Sequence, residues 1–158
     1  MNEQVTTIPE LKETIILGIL EEAAALPEGA ARVETERYTR DPYGRVRVEI
    51  NPTNAQASYF EVSVNDVNAV VFVGDNGITD EIPMVDAVAR GNVAEYVRGL
   101  FRAVASGNYT ETLWKHRGHV VRVHGQTVVD GIDTVFEQGS RRLARGCSEE
   151  VVKYPPYA

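Results

Sequence analysis

Tyr59-Phe60-Glu61-Val62-Ser63-Val64-Asn65-Asp66-Val67-Asn68-Ala69-Val70-Val71-Phe72-Val73 decides the fold. From Tyr59 to Val64 apolar and polar residues alternate, which places Phe60, Val62 and Val64 on one face of an extended chain. Asn65-Asp66 are turn formers, and Asn68 to Val73 reads as the returning strand. Ala69, Val71 and Val73 share the core face of that strand, but Val70 and Phe72 make its other face apolar as well. Two apolar faces predict a central strand covered twice. Antiparallel pairing through Asp66-Val67 sets Val62 opposite Val71 and Phe60 opposite Val73. Gly74-Asp75-Asn76-Gly77 then ends the strand and returns the chain through Ile78.

Upstream, Val33 to Arg40 and Arg45 to Ile50 flank Asp41-Pro42-Tyr43-Gly44, a sequence suited to a type I turn. This pairing sets Glu36 opposite Glu49 and Arg40 opposite Arg45. Before it, Thr7-Ile8-Pro9-Glu10 has the capping-box form, and Leu11, Ile15, Ile19 and Leu26, with Ile16, Leu20 and Ala23, mark one face of a helix ending before Pro27. Downstream, a short helix from Met84 to Arg90 is expected to break at Gly91-Asn92. A longer one follows, with Asn92 and Glu95 as cap and third residue and Gly107 beyond its end. Its core stripe is Val93, Tyr96, Val97, Leu100, Phe101 and Val104.

Tyr109 to Lys115 and His119 to His124 read as strands closed by Arg117-Gly118, with Gln126 to Val129 as a third strand after Gly125. Ile132, Val135, Phe136 and Leu143 fit a helical spacing whereas Thr134-Val135-Phe136 favours a strand, and of the two a helix is expected there. Ser148 onward adds an edge strand that Pro155-Pro156 stops.

These elements predict one α+β domain over residues 1–158: an antiparallel sheet of about five or more strands packed against an N-terminal helix and a long central helix, with a C-terminal hairpin. The order helix, strands, helix, strands resembles the architecture of small bacterial chaperones of secreted proteins and of immunity proteins that neutralise basic toxins. The helices around Leu100 and Ile15 are expected to cover both faces of the central strand, and a homodimer contact is the alternative cover. A lone Cys147 excludes an internal disulfide and suits a cytoplasmic protein; the N-terminal apolar run from Thr14 to Leu20 is too short for a membrane span.

Four residues could carry chemistry. His116 and His119 fall opposite each other across the Arg117-Gly118 turn, near enough to share a metal, but zinc needs further ligands and neither metal nor cofactor is expected. The same register sets Glu111 opposite His124, the basis of an alternative reading as a small-ligand binder or hydrolase using His116, His119, His124 and Glu111. No placed nucleophile accompanies them, so no catalytic residue is assigned. Gly74-Asp75-Asn76-Gly77 lacks the ligand spacing of a calcium loop and is read as a turn. Pro155-Pro156-Tyr157 is short for a proline-rich ligand and is read as a strand terminator.

Charge is the larger signal. Residues 1–82 hold fifteen acidic against six basic residues, whereas residues 83–158 hold eight against ten, so the first half generates the whole net charge of −7. Glu34, Glu36, Glu49 and Glu61 alternate with core-facing positions and should share the outer face of neighbouring strands. Such a surface attracts a protein with a basic patch and repels nucleic-acid phosphate. The expectation is therefore a non-enzymatic acidic protein-binding module, immunity-like or secretion-chaperone-like, with those four glutamates as partner-binding candidates.

Overall fold

The structure, a computed structural model, describes residues 6–76 and 78–158. Among them, two antiparallel sheets of five and four strands pack with three helices in an α+β arrangement. Helix α1 (Ile8–Ala24) begins at the expected capping box: the Thr7 hydroxyl accepts from the Glu10 N–H, and the Glu10 carboxylate accepts from the Thr7 N–H at 2.8 Å. Leu11, Ile15, Ile16, Ile19 and Ala23 form its buried stripe. No helix among the described residues is long and apolar enough to cross a membrane.

The first sheet has the order β1 (Ala31–Arg37), β2 (Val46–Pro52), β3 (Phe60–Val64), β4 (Asn68–Val73), β5 (Ile78–Pro83). Phe60 lies opposite Val73 and Val62 opposite Val71, as the alternation requires. The β1–β2 hairpin is shifted from its expected register by two residues: Glu36 faces Arg47, and Glu49 faces Glu34. Strand β1 stops at Arg37 because two successive turns absorb the next residues. Asp41 N–H donates to the Tyr38 carbonyl and Gly44 N–H to the Asp41 carbonyl, each at 3.2 Å. The Asp41-Pro42-Tyr43-Gly44 turn thus forms, but within a longer loop. An even shift leaves every side chain on its expected face; it gives Glu36 an opposite charge across the hairpin but sets Glu49 opposite Glu34, a pairing that Arg47 at 3.0 Å from Glu49 offsets.

Helix α2 (Met84–Arg90) ends on a left-handed Gly91, and α3 (Val93–Ala105) follows. Asn92 occupies the cap position of α3, but its side chain makes no cap hydrogen bond. Glu95 instead pairs with Arg102 at 3.1 Å. Val97, Leu100, Phe101 and Val104 are buried between α1 and the second sheet, and Phe101 meets Phe60 edge to face at 5.1 Å. All of this packing uses the inner face of the first sheet. On the opposite face Val70 and Phe72 stay half-buried, and among the described residues no helix packs over them, so the expected second cover of β4 is not found there.

The C-terminal hairpin belongs to a separate second sheet, ordered β8 (Ile132–Gly139), β7 (His119–Val129), β6 (Thr110–His116), β9 (Ser148–Lys153). Two expectations change here. The segments on either side of Gly125 are one strand, because Gly125 is needed inside it: a Cβ there would lie 2.5 Å from the Tyr109 hydroxyl. The helix expected over Ile132 to Leu143 is strand β8. Asp130 and Gly131 both have positive φ, 50° and 79°, forming the two-residue Asp-Gly hairpin turn whose signal outranks the helical spacing. Edge strand β9 ends before Pro155-Pro156 as expected, and the tail then turns inward. Tyr157 is buried, edge to face with Phe101, with its hydroxyl donating to the Ser58 carbonyl at 2.6 Å.

Candidate functional site

On the outer face of the first sheet, strand pairing arranges side chains in rows. Glu34, Glu49, Glu61 and Phe72 form one row across β1 to β4; Glu36, Arg47, Ser63, Val70 and Glu81 form the next across all five strands. All four predicted glutamates therefore share this face. Neighbouring cations temper them: Arg32 lies 3.1 Å from Glu34, and Arg47 lies 3.0 Å from Glu49 and 3.6 Å from Glu36. Glu61 is buried, and the charge of Arg47 reaches it without a direct ion pair. It accepts a hydrogen bond from the Tyr59 hydroxyl, whose pKa is raised by burial and by this carboxylate.

One step beyond the Glu49–Glu61 row the face opens into a cleft of about 490 Å³. Tyr59 and Phe72 contribute aromatic walls, Asn51 and Asn54 contribute amides, and Gly74 and Asp75 close it from the turn after β4. Asn51 donates to Glu49 at 3.1 Å, Asn54 accepts from the Gln56 N–H at 3.0 Å within the loop, and Thr53 ties the base of the loop to Ala30 through its N–H at 2.9 Å. Gly74 is required from its buried side. Its φ of +73° favours glycine, and a Cβ there would fall 1.8 Å from a carboxylate oxygen of Glu111.

Glu111 is fully buried directly behind Gly74. It accepts from the Tyr109 hydroxyl at 2.9 Å, the Tyr154 hydroxyl at 3.1 Å and the Asn76 amide at 2.6 Å. The two tyrosine rings stack at 5.6 Å. Burial pushes the Glu111 carboxyl above its ordinary range, and the three donors oppose that rise without cancelling it. Burial likewise raises both phenols. This carboxylate pins β6 of the second sheet to the turn that ends β4 of the first.

The residues of the hydrolase reading do not converge. His116 does lie opposite His119 across Arg117-Gly118, both exposed, but no group of three His, Cys, Asp or Glu among the described residues is arranged to hold a metal. Glu111 lies opposite Gly125, not His124, because a bulge between Trp114 and Lys115 shifts the register by one residue. That slip sends the two side chains to opposite faces. His124 points outward, with Nδ1 3.3 Å from Glu137, whose carboxyl is held low chiefly by its hydrogen bonds from Arg141. Cys147 donates its thiol to the Leu143 carbonyl at 3.0 Å. Of the glycine-rich turn, Gly74 to Asn76 are placed and Gly77 lies outside the described residues.

Sequence reasoning missed both the cleft and the buried carboxylate. A signal for the second existed: Glu111 alternates with Tyr109 and Leu113 on the inward face of β6, where a charged residue needs partners. The cleft left no such mark, since it arises where a loop and a turn fold over the end of the sheet. No family model, curated protein or solved structure matches the chain, so the geometry of this face carries the functional reading.

Proposed function

We propose that the protein is a non-enzymatic binding module that receives a basic protein partner on the outer face of its first sheet, in an immunity-like or secretion-chaperone-like role. One observation supports this above the rest: the second apolar stripe of β4, Val70 and Phe72, is left open and is framed by Glu34, Glu36, Glu49, Glu61 and Glu81. An apolar centre with a charged rim is the anatomy of a protein interface. The rim selects the partner's sign. Two basic residues, Arg32 and Arg47, bridge three of the five carboxylates, and of the other two Glu61 is buried while Glu81 is exposed and open to an incoming cation. A second copy docking through the same face would set these carboxylates against their own kind, so a heterologous basic partner fits better than a homodimer.

The test is capture from the native host at low salt and at high salt, using the wild type and a variant carrying Glu36→Lys and Glu49→Lys. A basic protein retained by the wild type, released by salt and lost in a variant that melts normally supports the reading. Exposed charges are screened beyond about 8 Å at physiological ionic strength, so the association rate of the purified pair should fall steeply with salt. A partner bound equally at all salt concentrations and by both proteins refutes it.

A further inference from the structure

We infer that the cleft beside Gly74 is the pocket for an arginine side chain of that partner, clamped between Tyr59 and Phe72 with its guanidinium directed at Asp75. The inference rests on the binding face proposed above and gives it a specificity element.

The cleft combines the features a guanidinium needs. Its walls are two aromatic rings, and a planar cation stacks on such faces more readily than an ammonium does. Its rim carries the exposed carboxylate of Asp75, able to accept the paired donors of a guanidinium. The Asn51 amide nitrogen is committed to Glu49, which leaves its carbonyl oxygen as a further acceptor. Gly74 contributes only backbone to the lining. No cation lines the cleft, and the row beside it holds Glu49 and Glu61. An anionic ligand would meet these carboxylates, and a wholly apolar one would strip water from Asp75 and Asn51 without replacing it. The cleft also adjoins the open stripe at Phe72, so one partner segment can lie along Val70 and place an arginine in it.

Hexa-arginine and hexa-lysine peptides carry equal charge and separate the pocket from the face. In an amide-resolved NMR titration, hexa-arginine should shift Tyr59, Phe72, Gly74 and Asp75 and bind more tightly than hexa-lysine. Phe72→Ala should weaken hexa-arginine about tenfold, the scale of a partly desolvated cation–π contact, while changing hexa-lysine little. Asp75→Asn, at an exposed turn position and nearly isosteric, should also reduce the preference for arginine, and this holds the test open should Phe72→Ala unfold. Glu36→Lys with Glu49→Lys should weaken both peptides. Equal affinities for the two peptides, unaffected by Asp75→Asn but weakened by the glutamate reversals, would overturn the pocket and leave the binding face standing. Failure of either peptide to bind at low salt would overturn both.

Discussion

Replacing Glu111 separates what its charge does from what its oxygens do. Glu111→Ala leaves the buried hydroxyls of Tyr109 and Tyr154 without their acceptor, while the half-exposed Asn76 can turn to water. Each orphaned buried group costs about 1–3 kcal/mol, so the loss is about 2–6 kcal/mol before any cavity is counted. That is a large share of the roughly 5–15 kcal/mol by which domains are stable. Glu111→Gln keeps one oxygen for Tyr109, and Tyr154 and Asn76 can each reorient to accept from the new amide. Its cost at low pH should stay within about 1 kcal/mol. Because burial raises the carboxyl of Glu111 in the folded state, its contribution is fully present below the unfolded value and is lost as pH rises through the folded one. The wild type should therefore lose stability relative to Glu111→Gln across that window, with a slope of up to about 1.4 kcal/mol per pH unit. Urea unfolding followed by circular dichroism from about pH 4 to about pH 8.5 measures it. Parallel pH profiles for the two proteins would refute the account of a carboxyl raised by burial, and Glu111→Gln as damaging as Glu111→Ala would refute the account of the donors.

Tyr157→Ala should cost about 3–5 kcal/mol, because the ring fills the core beside Phe101; Tyr157→Phe should cost about 1 kcal/mol for the lost hydrogen bond to Ser58. A tail that tolerates Tyr157→Ala within experimental error in chemical unfolding would show that it does not close the core. Glu22 has the opposite pH sign to Glu111: hydrogen bonds from Arg102 and Arg98 lower its carboxyl, so its stabilisation is present above the unfolded value and lost as pH falls through the folded one. Glu22→Gln should lower the melting temperature at neutral pH by an amount that shrinks toward acid, and a pH-independent deficit would contradict this.

Much of the first sheet is legible because its information is local. Alternation fixes which residues of β3 and β4 face the core, and a two-residue turn fixes their register. The capping box at Thr7 and the break at Gly91 are equally local and equally readable. The failures share a cause, which is that a slip of one or two residues changes a pairing. Two turns in succession moved Glu36 from Glu49 to Arg47, and a bulge moved Glu111 from His124 to Gly125. Neither irregularity has a side-chain signature when bulge and turn residues are ordinary ones. Strand β8 was readable in principle, since Asp130-Gly131 is a hairpin signal, but Ile132, Val135 and Phe136 also satisfy a helical period over so short a stretch. Nor does alternation say to which of two sheets a strand belongs. Only packing of α3 against both the first helix and β7 decides that.

The same packing ties the candidate site to the stability of the fold. Glu111 cannot be accommodated behind the turn after β4 unless position 74 lacks a Cβ, and the same Gly74 lines the cleft beside Tyr59 and Phe72. The buried carboxylate thus anchors the turn that forms one wall of the cleft. Its partners Tyr154 and Asn76 come from the C-terminal segment and from the turn that also presents Asp75, so the second sheet holds the rim of a cleft built on the first. On this view the acidic face needs the whole chain. The strands β1, β2 and β3 carry Glu34, Glu49 and Glu61, but the turn that walls the cleft beside them is held by hydrogen bonds from residues far along the sequence.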